Sequence, residues 1–198
     1  MKQTMIAISR EFGSGGDEIA ERIAKDFQLP LYDKNILEKL EEESGFLVKD
    51  WEKYDERPKF KLTSRNEKGF STSMEDNLAE KQFDFIRQKA EQKESFLVLG
   101  RCAESVLYGR PELISLFICD SMENRIKRIS EEYNISEKEA LMKIKKHDAS
   151  RKMYHRQHSD FRWGDSRYYD LCVNSGKLGL EKTTEYLEKY IVERCRQM

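Results

Sequence analysis

Five short apolar runs, separated by longer helical patterns, constrain the fold of this chain more than any other feature of its sequence. The runs are rich in β-branched and aromatic residues, which is typical of buried strands. Because helical segments join them, we expect parallel strands connected by right-handed crossovers, with helices covering both faces of the sheet. The predicted strands are residues 5–9, 29–33, 96–100, 113–119 and 171–174.

The helical patterns between these runs are amphipathic and carry recognisable end signals. Residues 17–27 place their apolar side chains on one face, and a second apolar stripe predicts a C-terminal helix from about residue 180 onward. The segments Asp120-Ser-Met-Glu123 and Ser136-Glu-Lys-Glu139 both resemble capping boxes, in which a side-chain oxygen and a carboxylate satisfy the free N–H groups of a first turn.

Two stretches interrupt the alternation of strands and helices. The chain has 198 residues, which suits a single domain, so we treat 1–198 as one unit that contains both stretches. The first is polar with scattered aromatic residues and reads as an irregular or loosely helical insertion; it is clearest at 51–74, and we place it at about 51–82. The second, residues 143–167, is rich in basic side chains and contains all three histidines.

Composition argues against several classes of protein. The 36 basic and 37 acidic side chains give a net charge of −1, so no overall charge attracts the chain to nucleic acid or lipid. The apolar runs are too short to cross a bilayer, and the first residues lack the pattern of a secretory signal. The four cysteines form no CxxC pair, and we expect reduced thiols, with Cys119 and Cys172 buried in apolar runs. A cytoplasmic protein is therefore expected.

A glycine-rich turn follows the first strand directly and precedes the first helix. Its sequence, Ser9-Arg-Glu-Phe-Gly-Ser-Gly-Gly-Asp-Glu18, lies at the carboxyl end of a parallel strand, where sheets of this class bind ligands. Glycines allow backbone N–H groups to converge, and a helix N-terminus adds partial positive charge. The turn is therefore predicted to bind phosphate, and a tight strand-to-helix turn without a ligand is the simpler alternative.

Residues 6–24 resemble, without a gap, the opening of cytidylate kinases and other P-loop nucleoside-monophosphate kinases. The stretch Ser-Arg-Glu-Phe-Gly-Ser-Gly-Gly is most similar to that of the cytidylate kinase-like proteins, and further segments resemble them over nearly the whole chain. The resemblance implies a three-layer α/β P-loop fold with a five-stranded parallel sheet. It also implies transfer of the γ-phosphoryl group of ATP, with Mg²⁺, to a small-molecule phosphate acceptor such as CMP or dCMP.

The turn departs from the P-loop pattern GxxxxGK[ST], in which the lysine reaches the β- and γ-phosphates and the hydroxyl binds magnesium. In the gapless alignment Arg10 replaces the first glycine, Gly16 replaces the lysine and Asp17 replaces the Ser or Thr. The Walker A motif is degenerate in this sense, although a backbone cradle can survive. The resemblance assigns nucleotide binding to Gly13, Ser14, Gly15, Gly16, Asp17 and Glu18.

Two hypotheses follow from the missing lysine. In the first, another cation takes over the phosphate charge, with Arg10, Lys34, Arg101 or a lid arginine as candidates, and Asp17 holds the Mg²⁺. In the second, the chain has lost phosphoryl transfer and is a regulatory module that binds a nucleotide or another anion. An aspartate beside phosphates is repulsive unless a metal intervenes, so Asp17 favours either a metal site or a loss of activity.

The resemblance places the acceptor at the ends of the second and third predicted strands. Asp33 and Lys34 occupy the position of the family's Asp-Thr-Gly turn, and Lys39 lies where cytidylate kinases carry an arginine for the acceptor phosphate. Arg101 matches the arginine of their Gly-Arg-Asp segment, but Cys102 replaces the aspartate. That replacement removes a carboxylate contact and weakens the expectation of cytosine specificity.

The segment Asp148-Ala-Ser-Arg151 resembles the Asp-x-x-Arg of the kinase lid, and the resemblance implies a basic lid at about residues 143–167. The resemblance makes Arg151 the first candidate, and Arg156 the second, for side chains that close over the γ-phosphate. Mobile arginines in such a place neutralise the developing charge and exclude water. A phosphate acceptor needs no general base, because its oxygen is already an anion. The predicted catalytic set is completed by Arg10, Asp17 and Arg101.

Three further hypotheses concern the two interrupting stretches. The spacing of the three histidines fits no zinc-binding pattern, so we expect no metal besides Mg²⁺. Aromatic residues among basic ones would also suit RNA, although the near-zero net charge disfavours a nucleic-acid partner. The aromatic-bearing residues 51–74 could contact a second copy of the chain as well as a substrate, which leaves a homodimer open.

Overall fold

A computed structural model of the chain describes residues 2–39, 66–67, 70–71 and 74–198. At its centre lies a parallel sheet of five strands: β1 (Met5–Arg10), β2 (Leu31–Tyr32), β5 (Phe96–Leu99), β6 (Leu113–Cys119) and β7 (Leu171–Asn174). Their order across the sheet is β2–β5–β1–β6–β7. Two short strands that precede β5 in the chain, β3 (Asn66–Glu67) and β4 (Phe70–Ser71), pair with each other in antiparallel fashion.

Helices cover both faces of the sheet, which confirms the predicted fold class. The α-helices whose bounds lie within the described residues are α1 (Gly16–Asp26), α2 (Met74–Glu91), α3 (Ala103–Val106), α4 (Met122–Tyr133), α5 (Glu137–His158) and α6 (Leu180–Gln197). Residues 36–39 are also helical. Two single 3₁₀ turns, Ser166–Tyr168 and Ser175–Lys177, flank β7.

The alternation of side chains along β1 divides the core into two halves. Ile6 and Ile8 pack against α1 and α6 on one face of the sheet, whereas Met5 and Ala7 pack against α2 and α3 on the other. All six residues of β1 are buried because the strand lies between β5 and β6. The carboxyl end of this central strand therefore emerges in the middle of the ligand-binding edge.

One of the two predicted capping boxes is confirmed and the other is wrong. The Ser136 side chain accepts from the Glu139 N–H, and the Glu139 carboxylate accepts from the Ser136 N–H. At the start of α4, the cap is Ser121 rather than Asp120, and the Ser121 hydroxyl accepts from the Asn124 N–H at 3.2 Å. Asp120 belongs to the turn before the helix, because its carboxylate accepts from the Ser121 N–H at 2.6 Å.

The structure also revises two smaller expectations. Residues 74–82, which we assigned to the end of the insertion, form the first part of the regular helix α2, and Leu78 and Ala79 are buried. Residues 51–65 lie outside the described part of the chain. None of the four cysteines forms a disulfide. Cys119 is only partly buried, and Cys172 is exposed rather than buried, because β7 is an edge strand with one face open to solvent. No helix among the described residues is long and apolar enough to span a membrane.

Helix α6 stabilises the sheet mainly through Leu187, which is fully buried in the core half beside α1. Replacing Leu187 with alanine should lower the free energy of unfolding by about 3 kcal/mol, because lost burial and a residual cavity add together. Tyr186→Ala is the matched control, since Tyr186 is 61% exposed on the same helix and should change stability by no more than about 0.5 kcal/mol. Urea denaturation measures both values, and equal losses would contradict this account of α6.

Candidate functional site

A cleft of about 700 Å³ opens at the carboxyl edge of the sheet. It lies where β1, β2 and β5 end and where α5 crosses above them, as the parallel topology requires. The cleft brings together six of the residues that sequence reasoning assigned to the site: Arg10, Asp17, Asp33, Lys34, Arg101 and Arg151.

The glycine-rich turn between β1 and α1 needs two residues with left-handed backbone geometry. Gly13 and Gly15 have φ angles of +79° and +76°, a region that other residues rarely adopt. Between them, Ser14 is fully buried, and its hydroxyl oxygen has no hydrogen-bond partner among the described residues. Helix α1 begins at Gly16, so its first N–H groups lack intrahelical partners. The turn thus offers unsatisfied donors at a helix N-terminus, which suits an anion.

A buried ion pair holds the turn in place from above. The Asp148 carboxylate on α5 accepts from the Phe12 N–H at 2.9 Å and forms a short ion pair with Arg125 on α4. Arg125 is 2% exposed, and its Nε donates to the Phe12 carbonyl oxygen at 2.8 Å. Glu11 contacts the same guanidinium at 3.2 Å. Both backbone groups of Phe12 are therefore fixed by side chains from two different helices.

Arg10 lies directly across Gly16 and reaches Asp17. Its Nε and Nη2 donate to one Asp17 carboxylate oxygen at 3.1 and 2.8 Å. A Cβ atom on Gly16 would lie 2.5 Å from the Cβ of Arg10, so the arginine side chain fills the space that a side chain at position 16 would need. The Arg10 side chain is mostly buried, whereas that of Asp17 is half exposed toward the cleft.

One side of the cleft is built by an unusual turn after β5. Gly100, Arg101 and Cys102 have consecutive positive φ angles of +80°, +57° and +50°. Left-handed geometry in two successive non-glycine residues is costly and concentrates at functional sites. This turn directs the Arg101 Nε toward the backbone oxygen of Asp33 at 3.4 Å.

Seven residues of the predicted site do not line the cleft: Gly13, Ser14, Gly15 and Gly16 of the glycine-rich turn, together with Glu18, Lys39 and Arg156. Lys39 lies 5.7 Å above the ring of Tyr32, and Arg156 is exposed on α5. Glu18 is exposed in the first turn of α1. Arg151, in contrast, lines the cleft, and its Nη1 donates to the backbone oxygen of Arg10 at 3.0 Å. Arg151 is therefore hydrogen-bonded to the end of β1, whereas Arg156 is exposed outside the cleft.

Sequence reasoning missed several residues that line the cleft. The ring of His147 stacks on Phe12 with centroids 4.2 Å apart, and the guanidinium of Arg151 lies 5.8 Å from the Phe12 ring. Lys146 and Glu21 also line the cleft. A helical signal could have found His147, because it lies four residues before Arg151 and thus on the same face of α5.

The charges around His147 make its protonated form unfavourable. Its pKa lies below the usual value, first because the ring is partly buried and second because Arg151, Lys143 and Lys146 repel a positive charge. Asp148 opposes these effects only in part. The imidazole therefore adds no positive charge to the cleft at neutral pH, and it contributes a flat aromatic surface instead.

The residues present fit a magnesium ion that is bound chiefly by a nucleotide. Mg²⁺ commonly takes one or two carboxylates together with phosphate oxygens and water. Asp17 supplies one half-exposed carboxylate at the end of the glycine-rich turn. The described residues contain no cluster of three or more His, Cys, Asp or Glu side chains that could hold a metal without such help.

Comparison with known proteins settles the family. The sequence profile of the cytidylate kinase-like family matches residues 5–177. The chain belongs to the cytidylate kinase-like family. This membership and the fold together support phosphoryl transfer of the nucleotide-kinase type as the general class of activity. None of the curated proteins matches the sequence significantly.

Several solved structures share the fold of this chain. The crystal structure of an uncharacterized protein from Eubacterium ventriosum ATCC 27560 is 37% identical, with 96% of this chain and 98% of that chain covered and a TM-score of 0.73. A gluconokinase from Sinorhizobium meliloti 1021 is 11% identical, with 98% and 94% covered and a TM-score of 0.52. A shikimate kinase from Acinetobacter baumannii in complex with shikimate is 11% identical, with 96% and 94% covered and a TM-score of 0.51. The last two share the fold of this cytidylate kinase-like protein.

The ion pair above the turn yields a stability prediction. Asp148→Asn retains the shape of the side chain but leaves Arg125 with less compensating charge in a buried place. We expect a loss of about 2 kcal/mol in the free energy of unfolding. Asp84→Asn is the matched control, because Asp84 forms an exposed pair with Arg87 and should cost no more than about 0.5 kcal/mol. Chemical denaturation of both variants would refute the prediction if their losses were equal.

His147 yields a prediction about pH. Its pKa is lower in the folded chain than in the unfolded chain, so the unfolded chain binds more protons in the window between the two values. Stability linked to His147 is therefore present above about pH 6.5 and is lost as the pH falls through the lower folded value. Between about pH 7.5 and about pH 5.5, His147→Gln should lose less stability than the wild type. Thermal unfolding at both pH values tests this, and identical losses would contradict it.

Proposed function

We propose that this cytidylate kinase-like protein is an ATP-dependent phosphotransferase in which Arg10 does the work of the missing lysine. The observation that carries the proposal is the close packing of Arg10 on Gly16. The cationic side chain that the P-loop pattern carries at position 16 would be supplied here from position 10, on the opposite side of the turn. The side chain of Arg10 packs over Gly16. Arg10 still lines the cleft beside Arg101 and Arg151, where the phosphates of a nucleotide would need positive charge.

The pairing of Arg10 with Asp17 suits a site in which the positive charge is compensated before a ligand binds. Each charge compensates the other across 2.8 Å while the cleft holds no phosphate. Mg²⁺ held by the Asp17 carboxylate would screen the phosphates from that negative charge and polarise them for transfer. With its carboxylate engaged by a metal, Asp17 would no longer neutralise Arg10, and the guanidinium would be available to the β- and γ-phosphate oxygens.

The remaining residues assigned to the site divide between the nucleotide and the acceptor. Gly13, Ser14, Gly15, Gly16 and Glu18 belong to the turn and the first turn of α1, where backbone N–H groups would receive the phosphates. Arg151 approaches Arg10 from α5 and would stabilise charge on the transferred group. Lys34 and Asp33 lie beside Arg101 and would orient the acceptor, with CMP or dCMP as the acceptors that the family suggests.

Transfer to a phosphate acceptor requires little chemistry from the protein itself. An acceptor phosphate oxygen attacks the γ-phosphorus, the bond to the β–γ bridging oxygen breaks, and ADP leaves with that electron pair. No proton must be removed from an acceptor that is already an anion. Positioning and charge stabilisation by the three arginines would therefore supply the catalysis. Arg156 and Lys39 take part only if they move from their observed places.

A second candidate function is a regulatory module that binds a nucleotide or another anion without transferring a phosphoryl group. The same Arg10–Asp17 pair favours it, because a fully satisfied ion pair can persist as a structural contact once catalysis has been lost. The two candidates differ in their dependence on magnesium and in their turnover. A kinase requires Mg²⁺ for tight ATP binding and releases ADP with an acceptor, whereas the module does neither.

Calorimetric titration with ATP, with and without Mg²⁺, is the decisive experiment. The wild type should bind ATP in the micromolar range only with Mg²⁺, and Arg10→Ala should weaken binding about tenfold or more, because a charge-assisted phosphate contact is lost. Arg10→Lys should retain part of the affinity. Arg22→Ala is the matched control, since Arg22 is exposed on α1 outside the cleft and should leave binding unchanged.

The outcomes separate the candidates clearly. An Arg10→Ala variant that binds ATP as well as the wild type would show that Arg10 is not the substitute cation. No wild-type binding at millimolar ATP would end the kinase proposal for the free chain. ADP release in a coupled assay with CMP, dCMP or another nucleoside monophosphate would identify the acceptor, and Mg²⁺-independent binding without ADP release would favour the regulatory module.

A further inference from the structure

A buried hydrogen-bond network lies directly behind the cleft, and its centre is the carboxylate of Glu104 on α3. Glu104 is 1% exposed, although ionisable side chains are seldom buried without partners. One of its oxygens lies 2.6 Å from His155 Nε2 and accepts from the Tyr169 hydroxyl at 3.3 Å. The other oxygen accepts from the Ser9 hydroxyl at 3.2 Å. Four segments that are distant in sequence therefore meet at one carboxylate.

Three of these four residues are close neighbours, along the chain, of the arginines that line the cleft. Ser9 immediately precedes Arg10 on β1. Glu104 comes one short turn after Arg101, and His155 lies one helical turn after Arg151 on α5. The network thus links the end of β1, the turn after β5 and helix α5, each close to the arginine that the segment carries.

The same grouping appears in space. Arg10, Arg101 and Arg151 line a small cavity of about 20 Å³, and His155 lines it as well. Such a volume has room for about one water molecule. His155 therefore packs against the place where the three guanidinium-bearing segments converge, while its Nε2 is held by Glu104 on the other side.

The network is built to be rigid. His155 is 3% exposed, and a buried carboxylate can be stable only with partners in good geometry. Burial, and next the nearby Glu104 carboxylate, raise the pKa of Tyr169, so its phenol stays protonated and keeps its hydrogen to donate. Networks of this kind lose more than one bond when one member is removed, because the remaining buried groups are left unsatisfied.

We propose that Glu104 and His155 are positioning residues that set the mutual placement of Arg10, Arg101 and Arg151. They act through the segments that carry the arginines and do not contact the nucleotide. The proposal rests on the proposed function for the identity of the ligand. It goes beyond that function by assigning the alignment of three phosphate-binding cations to a network outside the cleft.

A double-mutant cycle tests this coupling, with calorimetric affinity for Mg·ATP as the readout. His155→Phe keeps a planar ring but removes the bond to Glu104, and it should weaken binding about tenfold. In the presence of Arg151→Ala, the same substitution should cause a clearly smaller further loss, because one of the three arginines that the network positions is gone. Fully additive losses in the double variant would overturn the proposal, since they describe a general loss of stability.

Conservative variants supply the second readout. His155→Gln can place an N–H group near the Nε2 position, and it should recover most of the affinity that His155→Phe loses. Tyr169→Phe removes one bond of the network and provides a second cycle with Arg151→Ala if His155→Phe does not fold. Thr184→Val is the matched control, because it deletes a hydrogen bond of a buried side chain within α6, which lines neither the cleft nor the small cavity, and should not change binding. Failure of His155→Gln to recover affinity would contradict the proposal.

Nuclear magnetic resonance of the histidine ring nitrogens tests the bond itself without any ligand. The Nε2 proton of His155 should appear strongly downfield, disappear in His155→Phe and shift in Glu104→Gln. The absence of this signal in the wild type would remove the basis of the network. Its assignment is unambiguous, because each of the three histidines can be substituted in turn.

Titration with tripolyphosphate separates failure of this proposal from failure of the proposed function. If the wild type binds tripolyphosphate but not ATP, the kinase proposal fails and the cycle measured with tripolyphosphate still decides the coupling. If ATP binds and the cycle is additive, the kinase proposal stands and the positioning role is wrong. If neither anion binds, the three arginines form no phosphate site and both proposals are overturned.

Discussion

The glycine-rich turn owes its shape to a buried ion pair rather than to its glycines alone. Asp148 and Arg125 bind the N–H and the carbonyl oxygen of Phe12, so two helices hold one residue of the turn from both sides. Asp148 lies on the helix that carries Arg151. A displacement of α5 would therefore alter the turn and the lid arginine together, and the two halves of the candidate phosphate site behave as one unit.

Much of the architecture could be predicted because hydrophobic periodicity is a local property of the sequence. The runs at 113–119 and 171–174 coincide with β6 and β7, and parallel topology then brings every strand end to one edge. For this reason the positions of Arg10 and Arg101, each at a strand end, could be predicted from the sequence. The placement of Arg156 could not be predicted in this way, because the resemblance gives no orientation around the helix. Arg156 lies five residues beyond Arg151, about 140° around α5, and faces away from the cleft.

The features that the sequence did not reveal depend on contacts between distant segments. Nothing in the local pattern around Glu104 indicates that His155, 51 positions later, would approach its carboxylate to 2.6 Å. The stacking of Phe12 on His147 likewise joins the turn to a helix far along the chain. A resemblance can assign residues to a known motif one position at a time, but partners for buried polar groups are chosen by tertiary packing.

The close packing of Arg10 against Gly16 also limits which substitutions the turn can accept. Because the arginine fills the space beside position 16, restoring a lysine there would force two long side chains into one volume. Restoring the glycine at position 10 alone would instead leave the turn without either cation. The residue that fits at position 16 therefore depends on the residue at position 10, so the effects of substitutions at these two positions are not independent.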